Sequence, residues 1–201
     1  MRKGYFIAAI SAIFFIVIFS QAGCSEEGKA KPKTQQEMVA LGKYIVSTSG
    51  CDDCHTPKIF TEDRSRFRHH QITFGLSSKM NLSRAIDIYD LGPNKWAANE
   101  KMSLAAWVGP WGISFASNLT PDNATGLGTV TEEMFIKTLR EGKLKGVGRP
   151  LLPPMPWHVY GQKTDEDLKA IYAYLMSIKP INNMVPQPSP PDKVGELLAK
   201  K

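Results

Sequence analysis

Cys51-Asp52-Asp53-Cys54-His55 is the stretch whose residue types could do chemistry in this 201-residue chain, which holds only three cysteines and four histidines. In a C-x-x-C-H segment the two thiols can add across the two vinyl groups of one haem, and the adjacent histidine is placed to bind the iron. Three readings compete on the residues alone. A thioredoxin-like redox pair needs a preceding strand, whereas the apolar pattern ahead of Cys51 is helical. A zinc site needs about four ligands. The remaining cysteine, Cys24, lies at the end of a segment with the layout of an export signal. A single covalently bound haem is the expectation.

The second axial position of such an iron needs its own ligand. Of the eight methionines, Met1 lies in the export segment, Met38, Met134 and Met176 at helical positions, Met80 and Met102 in a weakly periodic middle region, and Met184 in the tail. Met155 stands apart in Pro153-Pro154-Met155-Pro156. Prolines fix φ and remove backbone donors, so the segment can present a thioether at small further cost in ordering entropy. His158 and an open position are the alternatives. His69 and His70, flanked by Arg66, Arg68 and Gln71, read as a solvated face.

A hydrophobic content of 42% and a charged content of 22% exclude disorder and a multi-spanning membrane protein. The net charge of +6 comes with no lysine-rich run interleaved with aromatics, so no nucleic-acid partner is expected. Residues 1–23 combine a basic start, an apolar run and small residues, the pattern of a signal peptide, with an uncleaved anchor as the alternative. Ala22-Gly23-Cys24 resembles the lipobox of bacterial lipoproteins, which implies an acylated Cys24 and attachment to a membrane. The expected location is the periplasm.

The elements that must position the motif follow. Residues 24–36 are polar and read as a tether, and residues 37–182 as the domain. Met38, Leu41, Tyr44 and Ile45 mark one apolar helix face leading into the motif. Residues 59–110 form an insertion without a clear period, and SLAAWVGPWG reads as an apolar loop broken by Gly and Pro. In TEEMFIKTLREG, Thr131 can cap, Glu132 and Glu133 favour the positive end of the dipole, and Gly142 can terminate. The stretch KLKGVGRPLLPPMPWHVYG must be extended or turned. Thr164 and Asp167 resemble a capping box for a last helix with Leu168, Ile171, Tyr172, Leu175 and Ile178 on one face, stopped by Pro180. Residues 183–201 are a proline-rich tail, and the N-x-S/T triplets at Asn81, Asn118 and Asn123 read as loops. No convincing strand emerges, so the expected class is all-α.

Beyond C-x-x-C-H, the segments WVGPWGISFASNLTPDNATGLG, LREGK, GVGRPLLPPMPW and TDEDLKAIYAYLMSIKPI carry a resemblance. The chain resembles bacterial mono-haem c-type cytochromes, and is similar to the cytochrome domains that accompany membrane-bound dehydrogenases. The resemblance implies a class I-like cytochrome c fold in which the helix carrying Gly42 and Tyr44 crosses the helix carrying Tyr172 and Leu175. It implies Cys51 and Cys54 as thioether anchors of one haem c, His55 as proximal ligand and Met155 as distal ligand. It also implies redox protein partners, a dehydrogenase or a respiratory complex.

The expected function is electron transfer, since histidine and methionine ligation suits an iron that cycles between two oxidation states. A peroxidase-like enzyme is the alternative, with His158 as the one nearby proton-moving group. A gas or redox sensor would need an output domain, and no segment reads as one. Lys137, Arg140, Lys143, Lys145 and Arg149 crowd one stretch and read as a solvated face, with steering of an acidic partner as the alternative.

Overall fold

The computed structural model describes residues 31–56, 58–60, 67–69, 97–98 and 106–199, with side chains over 31–56 and 106–196. Residues 1–23, Cys24, His70, Met80, Met102 and most of the stretch 59–110 lie outside the described residues. Element order is α1 (Gln35–Thr48), α2 (Cys51–His55), β1 (Lys58–Phe60), β2 (Phe67–His69), β3 (Ala97–Ala98), β4 (Ala106–Gly109), β5 (Gly112–Phe115), α3 (Glu132–Glu141), α4 (Trp157–Tyr160), α5 (Asp165–Ser177) and α6 (Val194–Ala199).

α1 starts at a capping box that the sequence carries as T-Q-Q-E: Thr34 Oγ1 accepts from the Glu37 N–H, and Glu37 Oε2 accepts from the Thr34 N–H at 2.7 Å. Its buried face is Gly42, Ile45 and Val46, with Met38 and Leu41 packed beside them. Tyr44 is 66% exposed, which corrects its expected place on the apolar face. α5 has the expected Thr164–Asp167 capping box and buries Leu168, Ala170, Ile171, Tyr174 and Leu175. Tyr172 lies at the edge of that face, where its hydroxyl donates to the Val130 carbonyl at 2.8 Å and its ring tilts against Phe135.

α1 packs on α5 as the resemblance implied, and the reason is local. A Cβ at Gly42 would run into the Ala170 backbone carbonyl and the Tyr174 Cβ, so the missing side chain lets the two backbones nearly touch. α3 closes the same core with Phe135 and Leu139, capped by Thr131 and ended at Gly142 as the sequence predicts.

Two small antiparallel sheets correct the all-α expectation, although the chain is mostly helical. β1 pairs with β2, and the second sheet has the order β3-β4-β5. β4 and β5 form a tight hairpin closed at Gly109 and Gly112, with Val108 opposite Ile113. Ala106 and Val108 are buried in alternation with half-buried neighbours along β4, while Gly112, Ile113 and Ser114 are buried in succession on β5. The tail then returns to β5, where Ile113 and Ser189 exchange backbone hydrogen bonds of 2.8 and 3.0 Å.

Between hairpin and α3 the chain is held by side chains. Asn118, 3% exposed, donates to the Ile181 carbonyl at 2.8 Å and to Thr125 Oγ1 at 3.0 Å. Asp122 Oδ1 accepts from Thr125 Oγ1 and Thr125 N–H, both at 2.7 Å, and from the Ala124 N–H at 3.1 Å. The bond from the Thr125 hydroxyl is the main reason that the Asp122 carboxyl sits below the usual carboxylate range.

Two outcomes are expected. Gly42→Ala gains about 1 kcal/mol of helix propensity but forces α1 from α5, for a net loss of about 1–3 kcal/mol in urea denaturation. Asp122 stabilises the fold above its unfolded pKa of about 4 and loses that contribution as pH falls through the lower folded value. Asp122→Asn therefore has a lower denaturation midpoint at neutral pH and a shallower further loss on acidification.

Candidate functional site

The motif hangs on the end of α1. Gly50, at φ 74°, takes the left-handed turn that lets the chain leave α1 and start α2 at once, a conformation costly for residues with a Cβ. Within the single turn of α2, Cys51 and Cys54 fall at i and i+3, on one side of the helix. They are not joined in a disulfide. Cys51 packs against the helical core, whereas Cys54 packs against the second cluster formed by Ala106, Ala116 and Phe115. The motif thus bridges helices and hairpin. Burial pushes the Cys51 thiol up, which opposes a thiol-disulfide exchange role, since that chemistry requires a lowered thiol pKa. Among the described residues no three His, Cys, Asp or Glu side chains gather as a metal-holding cluster.

His55 Nδ1 lies 2.9 Å from the Ser117 carbonyl oxygen. A carbonyl can only accept, so Nδ1 carries the proton and the lone pair is left on Nε2, the tautomer a metal-binding imidazole needs. Burial holds His55 below the ordinary histidine range, which keeps the ring neutral.

Met155 is partly buried and packs against the same helical core as Cys51. Its segment is tied down at several points. The Leu151 N–H donates to the Gly142 carbonyl at 2.8 Å, the Pro153 carbonyl accepts from Ser114 Oγ at 2.6 Å, and the Trp157 indole covers Gly142. The Pro153-Pro154 bond is cis. On the far side the Tyr160 hydroxyl donates to the Ser49 carbonyl at 2.5 Å and lies 4.0 Å from Cys51 Sγ. Burial pushes the Tyr160 phenol well up, so it remains a protonated donor.

The structure therefore gathers Cys51, Cys54 and His55 on one short helix and ties the Met155 segment to the residues just ahead of it. His158 is exposed on α4, with its ring edge-on to Trp157 at 5.9 Å between centroids. Met184 is 56% exposed. The His69 side chain lies outside the described residues. Of the basic stretch, Lys137 pairs with Glu141 at 3.9 Å, and Arg140 donates to Asp165 at 2.5 Å and to the Gly161 carbonyl, while Lys143, Lys145 and Arg149 are exposed. Sequence reasoning missed Ser114, Ser117 and Tyr160. Only Tyr160 carried a signal, since a tyrosine beside a buried segment usually finds a partner for its hydroxyl.

The donor set fits a haem c: two thiols at the required spacing, a neutral imidazole oriented through Nδ1, and a thioether on a braced loop. The chain matches no protein-family model. Part of it is similar to cytochrome c subunits of dehydrogenases. Over 79 residues it is 40% identical to the fructose dehydrogenase cytochrome subunit of Gluconobacter japonicus, covering 39% of this chain and 16% of that protein. Over 67 residues it is 43% identical to the gluconate 2-dehydrogenase cytochrome c subunit of Pantoea cypripedii, covering 33% of this chain and 15% of the relative. The alcohol dehydrogenase (quinone) cytochrome c subunit of Gluconobacter oxydans (strain 621H) is 38% identical over 73 residues, 36% of this chain and 15% of the relative. The similarity thus spans about a sixth of these relatives' length.

Tyr160→Phe is expected to lower stability by about 1 kcal/mol, the net worth of one hydrogen bond, as read by urea denaturation at neutral pH.

Proposed function

We propose that this chain is an electron-transfer protein carrying one covalently bound haem c, with His55 and Met155 as axial ligands and Cys51 and Cys54 as the thioether anchors. The observation that carries the reading is the hydrogen bond from His55 Nδ1 to the Ser117 carbonyl, next to two cysteines at haem-attachment spacing. A bound haem would supply one-electron exchange at its iron, and a methionine ligand favours the reduced form. The chain's own part is mechanical and dielectric. Ser117 fixes the imidazole plane, the Leu151, Pro153 and Tyr160 contacts brace the Met155 segment, and the helical core packs against Met155. With His55 and Met155 both held by the fold, a change of charge on a bound haem would call for little rearrangement of the chain.

The similarity to dehydrogenase cytochrome c subunits supports a dehydrogenase as electron donor. The layout of residues 1–23 supports export to the periplasm, with Cys24 as a lipidated membrane attachment. The fold supports a class I-like cytochrome c domain, with α1 crossing α5 beside the C-x-x-C-H helix.

Optical spectra of the purified protein test the reading. The oxidised form is expected to show the weak far-red absorption of a sulfur–iron bond, lost in Met155→Ala together with a fall in reduction potential. Haem that stays attached through acidic organic extraction is expected in the wild type and not in the Cys51→Ala, Cys54→Ala double variant. A high-spin oxidised spectrum indifferent to Met155→Ala would instead favour a peroxidase-like or gas-binding site.

A further inference from the structure

Ser114 belongs to none of the expected site residues, yet it joins two parts of the site. It is 6% exposed on β5 and makes two hydrogen bonds, to Trp111 Nε1 at 3.1 Å and to the Pro153 carbonyl oxygen at 2.6 Å. The direction of both is fixed by chemistry. An indole N–H can only donate, and a carbonyl can only accept. The proton order is therefore Trp111 N–H to Ser114 oxygen, and Ser114 O–H to the Pro153 carbonyl, a chain in which each bond strengthens the other. Pro153 stands two residues before Met155.

β5 is a firm place from which to do this. Ile113, fully buried, stands opposite Val108 of β4 and exchanges both of its backbone hydrogen bonds with Ser189 of the tail. Two residues past the end of β5 stands Ser117, whose carbonyl orients His55. One short segment thus grips both candidate axial ligands, His55 through a backbone oxygen and Met155 through the Ser114 hydroxyl.

We propose that Ser114, oriented by Trp111, is a positioning residue for Met155, holding the thioether in ligating position through the Pro153 carbonyl. The proposal rests on the reading of Met155 as the distal ligand. It assigns to the hairpin the role of setting how readily that ligand is displaced, separately from how stable the fold is.

The test is titration of the purified oxidised holoprotein with imidazole, following loss of the far-red sulfur–iron absorption. Ser114→Ala is expected to reach half-displacement at about fivefold to tenfold lower imidazole than wild type, the factor that one or two net hydrogen bonds supply. Ser114→Thr, which keeps the hydroxyl, is expected to restore the wild-type value. Asp122→Asn, which weakens the loop ahead of α3 and shares no hydrogen bond with this chain, is expected to titrate as wild type despite its lower stability. Should Ser114→Ala fail to accumulate as holoprotein, Trp111→Phe carries the test, with a shift in the same direction and of smaller size. Wild-type titration in Ser114→Ala, or in Trp111→Phe where that variant carries the test, or an equal shift in Asp122→Asn, would overturn the positioning role alone. A wild-type protein without the far-red absorption would overturn the Met155 reading and this proposal with it.

Discussion

The contact on which the rest depends is the one where α1 meets α5 at Gly42. With no Cβ at that point, the α1 backbone lies against the Ala170 carbonyl, and Ile45 and Val46 reach the Leu168, Ile171 and Leu175 side chains. That approach fixes where α1 ends. Since only Ser49 and Gly50 separate α1 from α2, it also fixes where Cys51, Cys54 and His55 begin. A larger residue at position 42 would displace the chemistry together with the core, because no flexible linker lies between them.

Everything else in the candidate site is a way of bringing distant chain to that fixed point. Tyr160 reaches Ser49 across 111 residues of sequence, Ser117 reaches His55 across 62, and Ser114 reaches Pro153 across 39. These are polar bonds made at the borders of the apolar core, where each is directional and an unmade partner is costly. The helices supply most of the burial, and the few long-range hydrogen bonds set angles and distances at the motif.

Much of this was legible in the sequence where a residue type has one dominant physical use. Thr131 and Gly142 mark the ends of α3, the Thr164–Asp167 box opens α5, and the C-x-x-C-H spacing singles out α2. The start of α1 was readable from Thr34 and Glu37 but is hidden in a polar run that looks like tether. Tyr44 misled because an aromatic at helical spacing looks like core, and its exposed position follows from Gly42, not from its own chemistry. The β4–β5 hairpin was read as a loop because Gly109, Pro110 and Gly112 break its apolar pattern, and these residues lie where the hairpin closes. The acceptors of the His55 ring N–H and of the Ser114 hydroxyl were beyond reach for a different reason. Both are backbone carbonyls, a group every residue has, so no side chain advertises them.

The pairing of Ser189 with Ile113 has a consequence for association. A strand such as β5 with one side unpaired would offer its N–H and C=O groups to any other extended chain, the usual start of edge-to-edge aggregation. The tail covers that side with the sequence Pro188-Ser189-Pro190-Pro191, in which only Ser189 has an N–H, and that N–H is spent on Ile113. Along this stretch the proline neighbours bring no backbone donors that a further strand could use. The tail ends the sheet locally by chemical incapacity, so it guards β5 without itself becoming a new adhesive border.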